Sequence, residues 1–175
     1  MNRNNLNFVC NNVKGLQGKD KRIKIFKYLK NCISSNGFVF LQETHSSLND
    51  EKKWADDFKG RLFFSHGKTN SCGVAIGYSG NKPFSLIDEF KDNHGRLLVL
   101  EVKIDSEILV LINFYNANAE SEQISTLSEL NDVIMNIKNV KNKNIILGGD
   151  FNLHFDSKLA AQGRKPVLKS NPLVK

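Results

Sequence analysis

Apolar positions along this chain follow two spacings, three-to-four-residue intervals and short unbroken runs, and the two alternate. Leu6–Cys10 predicts a short strand. Over residues 19–33, Ile23, Phe26, Leu29 and Ile33 return at helical intervals with lysines between them, which predicts an amphipathic helix. Asn36-Gly37 is expected to end it, because glycine readily takes the left-handed conformation that closes helices. Phe38-Val39-Phe40-Leu41 is unbroken, as in a strand buried on both faces. A charged helical stretch over 48–58 follows, then strand-like 61–65 and 73–78. Residues 97–104 and 108–115 form the strongest hairpin signal, joined across Asp105-Ser106-Glu107. Ile124, Leu127, Leu130, Ile134 and Ile137 mark a second amphipathic helix over 121–137, and Ile145-Ile146-Leu147 one more buried strand. Periodicity stops after residue 152, where Gly163, Pro166 and Pro172 interrupt the chain. The mixture predicts an α/β or α+β fold on a mixed sheet.

Composition narrows the class. At 175 residues the chain is long enough for about one domain with its own core. Its 40% hydrophobic and 25% charged content excludes a disordered or fibrous chain. No apolar run approaches the roughly 20 residues of a membrane-spanning helix. The opening residues carry no signal-peptide pattern, so the expectation is an intracellular protein, nuclear or cytoplasmic and not secreted. Cys10, Cys32 and Cys72 are odd in number and scattered, fitting neither a disulfide framework nor a zinc site.

The net charge of +7 is unevenly spread. Residues 14–30 hold Lys14, Lys19, Lys21, Arg22, Lys24, Lys27 and Lys30 against Asp20 alone, and residues 158–175 hold five cations and no acid. Two basic segments flanking a mildly acidic body suit a polyanion-binding surface around an acidic site, or else a solvated helix face and a loose tail.

Polar residues gather where three predicted strands end: Asn11-Asn12, Gln42-Glu43-Thr44-His45 and Asp150-Phe151-Asn152. Ligands of open α/β sheets bind at the carboxyl ends of strands, so these segments are candidates to converge. Taken singly, Asn12 also reads as a turn former, and Asp150 and Asn152 as turn or capping residues. Glu43 is different, because a carboxylate directly after a buried apolar run needs a partner or a metal. Magnesium suits such a place, since it takes one or two carboxylates and completes its shell with water and phosphate oxygens.

The blocks Asn12-Val13-Lys14-Gly15-Leu16, Leu41-Gln42-Glu43-Thr44-His45, Asn113-Phe114-Tyr115 and Gly148-Gly149-Asp150-Phe151-Asn152, in that order, resemble the exonuclease–endonuclease–phosphatase superfamily. Within it they are most similar to the apurinic/apyrimidinic-type endonuclease domain of non-LTR, LINE-type retrotransposons. The resemblance implies a two-sheet α/β sandwich over residues 1–152. It also implies a magnesium-dependent (or manganese-dependent) endonuclease that nicks DNA, linked in a full-length element to a reverse transcriptase domain. It assigns Glu43 and Asn12 to the metal, and Asp150, Asn152, Tyr115 and His45 to catalysis, with Arg96 a weaker candidate. Lys14, Lys21, Arg22 and Lys24 are the candidate nucleic-acid contacts.

The family domain continues past the Gly-Asp-Phe-Asn block into a further Asp and a Ser-Asp-His motif, which this sequence lacks. The expectations are therefore a second sheet that is partial, an apolar sheet face left bare, a basic tail over 153–175 and weak or absent activity. Two other functions fit the same residues: a catalytically dead nucleic-acid-binding module, and a phosphoesterase acting on small molecules.

Overall fold

A computed structural model describes residues 6–34, 36–68, 71–138 and 143–153. In chain order the elements are β1 (Asn7–Asn12), α1 (Lys19–Ile33), β2 (Asn36–Gln42), α2 (Glu51–Phe58, entered through a 3-10 turn at Leu48–Asp50), β3 (Arg61–Ser65), β4 (Val74–Gly80), β5 (Phe84–Lys91), β6 (Leu97–Ile104), β7 (Glu107–Tyr115), α3 (Glu120–Lys138) and β8 (Asn144–Asp150). They form two four-stranded sheets, ordered β1-β2-β4-β3 and β5-β6-β7-β8. The α/β sandwich is thus as expected, and the sheet expected to be partial has four strands.

Strand side chains alternate between faces, and this alternation builds the layers. Phe38 and Phe40 of β2, Val74 and Ile76 of β4, and Leu98, Leu100 and Leu111 of β6 and β7 close the core between the sheets. The alternate residues Val39, Leu41 and Ala75 point outward and are covered by Phe26, Leu29 and Ile33 of α1 and by Trp54 and Phe58 of α2. On the other side Val99, Val110, Ile112 and Phe114 are covered by α3 through Leu127, Leu130 and Ile134. Both outer sheet faces therefore carry helices, while Phe8 of β1, in an inward-facing row, is 38% exposed and Leu147 of β8 is 40% exposed, so part of the apolar surface at these two strands is left open.

Among the described residues two strand pairs are parallel, β1 with β2 and β7 with β8. Each needs a crossover, supplied by α1 and α3 respectively. The carboxyl ends of these four strands consequently lie at one end of the sandwich. Across the inter-sheet space there, Asn113 of β7 donates from Nδ2 to the carbonyls of Leu41 and Ala75, at 2.9 and 2.8 Å, and accepts from Gln42 Nε2 at 2.7 Å. This fully buried amide pair ties the second sheet to the first immediately beneath the strand ends.

Several expectations are corrected. Ile23 is 41% exposed, and the fourth residue of the α1 stripe is Arg22, which is completely buried. Arg22 donates to Asp57 at 2.6 and 2.8 Å and to the carbonyls of Leu16 and Gln17, and its guanidinium lies over the Trp54 ring. It is a core ion pair between α1 and α2 and is unavailable to nucleic acid. Asn36-Gly37 does not end α1; the helix closes at Ser34, and Gly37 already pairs with Asn7 in β2. Strand β5 has no counterpart in the sequence reading, because a bulge between Leu86 and Asp88 breaks its alternation. The segment from residue 154 onward, including the basic tail, lies outside the described residues.

Candidate active site

Four inward-facing rows end at the same level. Phe8 and Cys10 lead to Asn12, Phe38 and Phe40 to Gln42, Leu111 and Asn113 to Tyr115, and Ile146 and Gly148 to Asp150. The last of these rows can approach β2 because Gly148 has no side chain: a Cβ there would meet the Phe40 ring at 3.1 Å. Glu43 follows β2 with φ 52, a left-handed conformation that turns its carboxylate back over the strand ends.

Asn12 is the hub of the resulting cluster. Its Nδ2 donates to Glu43 Oε1 at 2.8 Å and to Asp150 Oδ2 at 2.9 Å, so one amide fixes two carboxylates contributed by different sheets. Its Oδ1 accepts from the Lys14 backbone N–H at 3.2 Å. Tyr115 donates its phenol proton to Glu43 Oε1 at 3.0 Å and accepts from Asn118 Nδ2 at 3.1 Å. Asp150 Oδ1 accepts from the backbone N–H of Asn152 at 3.1 Å. The Asn152 side-chain amide donates to the Asn116 carbonyl at 2.9 Å, and the left-handed φ of 48 at Asn152 makes the tight turn possible.

Two cavities flank the hub. One, about 290 Å³, is lined by Asn12, Gln42, Asp150 and Asn152. The other, about 310 Å³, is lined by Glu43, His45, Arg96, Tyr115 and Asn118. Sequence-predicted Asn12, Glu43, Tyr115, His45, Asp150 and Asn152 thus share one end of the sandwich, and Arg96 stacks on the Tyr115 ring at 5.5 Å. Lys14 and Lys21 lie at its rim, where Lys21 Nζ donates to the Lys14 carbonyl at 2.6 Å. Lys24 is exposed on α1.

Sequence reasoning passed over Asn116 and Asn118, although they follow β7 as Glu43 follows β2. Asn116 accepts from the Thr126 hydroxyl, donates to the Phe151 carbonyl at 2.9 Å and receives the Ala117 N–H at 2.9 Å, clamping the β7–α3 and β8 ends together. The signal that could have found them is the rule already applied to the other three strand ends.

Burial, then the hydrogen bond to Glu43 and its charge, push the Tyr115 phenol from its ordinary 10 up to about 12. The folded state therefore keeps this proton where the unfolded chain releases it. Its stabilising contribution is intact below pH 10 and is lost as pH rises from 10 toward 12. Urea melts of wild type and Tyr115→Phe across that range are expected to show a shallower alkaline decline in the variant. Parallel declines would mean that Tyr115 does not hold its proton against Glu43.

Among the described residues no three His, Cys, Asp or Glu side chains form a metal-holding group. The oxygen set at Glu43 nonetheless fits magnesium: Oε1 takes both the Asn12 and Tyr115 protons, and no described residue donates to Oε2. One open carboxylate edge is a protein share of the modest size that this ion uses, and Asn12, whose NH2 faces Glu43 and whose Oδ1 takes the Lys14 N–H, orients that carboxylate.

Comparisons with known proteins bear on the family and the fold. A profile of the Endonuclease/Exonuclease/phosphatase family matches residues 5–165. The chain is 28% identical over 147 residues to the Transposon TX1 uncharacterized 149 kDa protein of Xenopus laevis, covering 84% of this chain and 11% of that protein. It is similar in structure to a mannosyl-6-phosphatase of Bacteroides thetaiotaomicron, with a TM-score of 0.66 and 15% identity over 90% of this chain and 69% of that one. D. rerio TDP2, solved with a single strand DNA product, gives a TM-score of 0.63 and 22% identity over 92% and 66% of the two chains. At these identities the structural likenesses establish the fold.

Proposed function

Since the chain belongs to the endonuclease/exonuclease/phosphatase family, we propose that residues 1–152 form a metal-dependent phosphodiesterase unit that nicks DNA. The observation that carries this reading is the single Asn12 amide shared by the Glu43 and Asp150 carboxylates, at 2.8 and 2.9 Å. It sets a metal-holding carboxylate and a proton-accepting one at one strand-end site with a neutral phenol beside them.

Glu43 would hold the magnesium or manganese ion, with Asn12 beside it orienting the carboxylate through its NH2; when bound, the ion would neutralise charge on the non-bridging phosphate oxygens. Asp150 takes the proton of the attacking water. Its two hydrogen bonds, from Asn12 and from the Asn152 N–H, orient it for that task. Tyr115 stays protonated; its one proton lies on Glu43 Oε1 and would have to swing from that carboxylate to reach the phosphate. Asn152 and His45 line the two sides of the reacting region, and Asn118 holds the Tyr115 oxygen. Leaving-group stabilisation has only His45 as an imidazole candidate among these residues, so turnover by this chain is expected to be slow.

DNA is favoured as substrate by the +7 charge, by the exposed Lys14, Lys21 and Lys24, and by the similarity to a transposon protein. In a full-length element the unit would act with a covalently linked reverse transcriptase domain, and its work would lie in the nucleus or cytoplasm. No helix among the described residues is long and apolar enough to cross a membrane. The likeness to a mannosyl-6-phosphatase supports a second reading, hydrolysis of small phosphoesters.

Relaxation of supercoiled plasmid in magnesium, with and without chelator, separates these readings. Slow, chelator-sensitive nicking is expected; hydrolysis of soluble phosphoesters without nicking would replace the first reading with the second. DNA affinity is further expected to fall with salt, because phosphate neutralisation releases counterions. Substituting Lys14, Lys21 and Lys24 together by Gln should flatten the log–log slope by about 1–3, at roughly 0.9 per lost phosphate contact. An unchanged slope would remove these lysines from the interface.

A further inference from the structure

The loop from Glu43 to Ser46 is held in an uncommon shape. Both Glu43 and His45 are left-handed, with φ of 52 and 55, and non-glycine residues persist there only where their surroundings over-determine them. The backbone is tied from two sides. Gly15 and Leu16 N–H donate to the carbonyls of Glu43 and Thr44 at 2.7 and 3.0 Å, while Thr44 and His45 N–H donate to the carbonyls of Gly73 and Cys72 at 2.9 Å each. Gly73, at φ 84, leaves room for Thr44: a Cβ there would sit 2.5 Å from Thr44 Oγ1.

A side-chain relay closes the third side. Thr44 Oγ1 and Ser46 Oγ are 3.0 Å apart, Ser46 Oγ and His66 Nδ1 2.9 Å, and His66 Nε2 and Glu51 Oε1 2.9 Å. Thr44 is completely buried and Ser46 nearly so. His66 stacks on Phe64 with centroids 5.4 Å apart and planes 18° from parallel, which fixes the ring between the two partners. The relay starts on α2, passes the end of β3 and terminates on the residue next to Glu43, yet no part of it touches the reacting region.

We propose that His66 is a positioning residue for Glu43, acting through Ser46 and Thr44; the inference rests on reading Glu43 as the metal-holding carboxylate. The imidazole is suited to it because two ring nitrogens on opposite sides can engage Ser46 and Glu51 together, which no other single side chain of that size does.

The test uses the full chain labelled with 3-fluorotyrosine, whose Tyr115 resonance reports the hydrogen bond to Glu43 without any metal. It is assigned with Tyr115→Phe, and Glu43→Ala supplies the position of the broken bond. His66→Ala and Ser46→Ala are expected to move the resonance toward that position. Mn²⁺ affinity by titration calorimetry should fall about tenfold in both, the low end for loss of a ligand-orienting partner, and His66→Asn should return it to within about twofold. The asparagine amide occupies the Nδ1 side and restores the Ser46 bond, whereas His66→Gln mimics the Nε2 side and should resemble His66→Ala. If His66→Ala fails to fold, Ser46→Ala removes one hydroxyl and carries the same comparison. An unmoved Tyr115 resonance in Ser46→Ala and His66→Ala, or His66→Asn no better than His66→Gln, overturns the proposal. A wild-type chain that binds no Mn²⁺ would instead sink the proposed function, while the metal-free resonance still decides the role of His66.

Discussion

Asp150→Ala is expected to slow plasmid nicking by at least about a hundredfold at saturating magnesium, the lower bound for losing a positioned general base. Two hydrogen bonds aim this carboxylate, one from Asn12 and one from the Asn152 N–H. No other carboxylate among the described residues shares the Asn12 amide except Glu43, which faces Tyr115. Asp150→Asn separates proton transfer from packing, since it keeps an acceptor for Asn12 and removes the base. Both variants should lose activity alike while melting with the wild type. Nicking retained in Asp150→Asn would assign the base elsewhere, and His45 is the next residue to substitute.

Arg22→Ala is expected to destabilise the fold by about 3–5 kcal/mol, the usual cost of leaving half of a buried ion pair. Asp57 would be left beside a cavity, the Leu16 and Gln17 carbonyls would lose their donor, and Trp54 would lose the group stacked on it. For a chain of this size the melting temperature should fall on the order of 10 °C. Lys21→Gln and Lys24→Gln, one position before and two after, should stay within about 0.5 kcal/mol of wild type, as exposed substitutions do. The salt slope of DNA binding should respond in the opposite order, to the lysines and not to Arg22. An Arg22→Ala protein with an unchanged melt would mean that the α1–α2 contact does not depend on the pair.

Residues 22 and 23 mark where sequence reading stopped. Hydrophobic periodicity located α1 correctly, but a period cannot tell that a guanidinium with three acceptors and an indole to lie on will displace isoleucine from the inward row. The same limit hid β5, whose bulge shifts the period within one strand. The site was more legible, because chemistry-bearing side chains sit at strand ends and the two parallel pairs bring those ends together. Local text could not supply the partner of each group: nothing near Asn12 indicates that its amide would divide between Glu43 and Asp150. Nor did Ser46 or His66 announce themselves, because their relation spans 20 residues and exists only once β3 and the 43–46 loop meet.

The bond between Asn12 and Asp150 joins residues 138 positions apart. A ribosome adding about 5–20 residues per second needs about 7–28 s to travel from one to the other. Through that interval the nascent chain can complete β1, α1 and β2 and pair the first sheet, yet Asn12 has only Glu43 to hold. The site therefore matures only once Asp150 has been made, and its hydrogen bonds certify that both sheets have met. An incomplete translation product stopping before Asp150 would carry the basic helix and the first carboxylate without the means to cut.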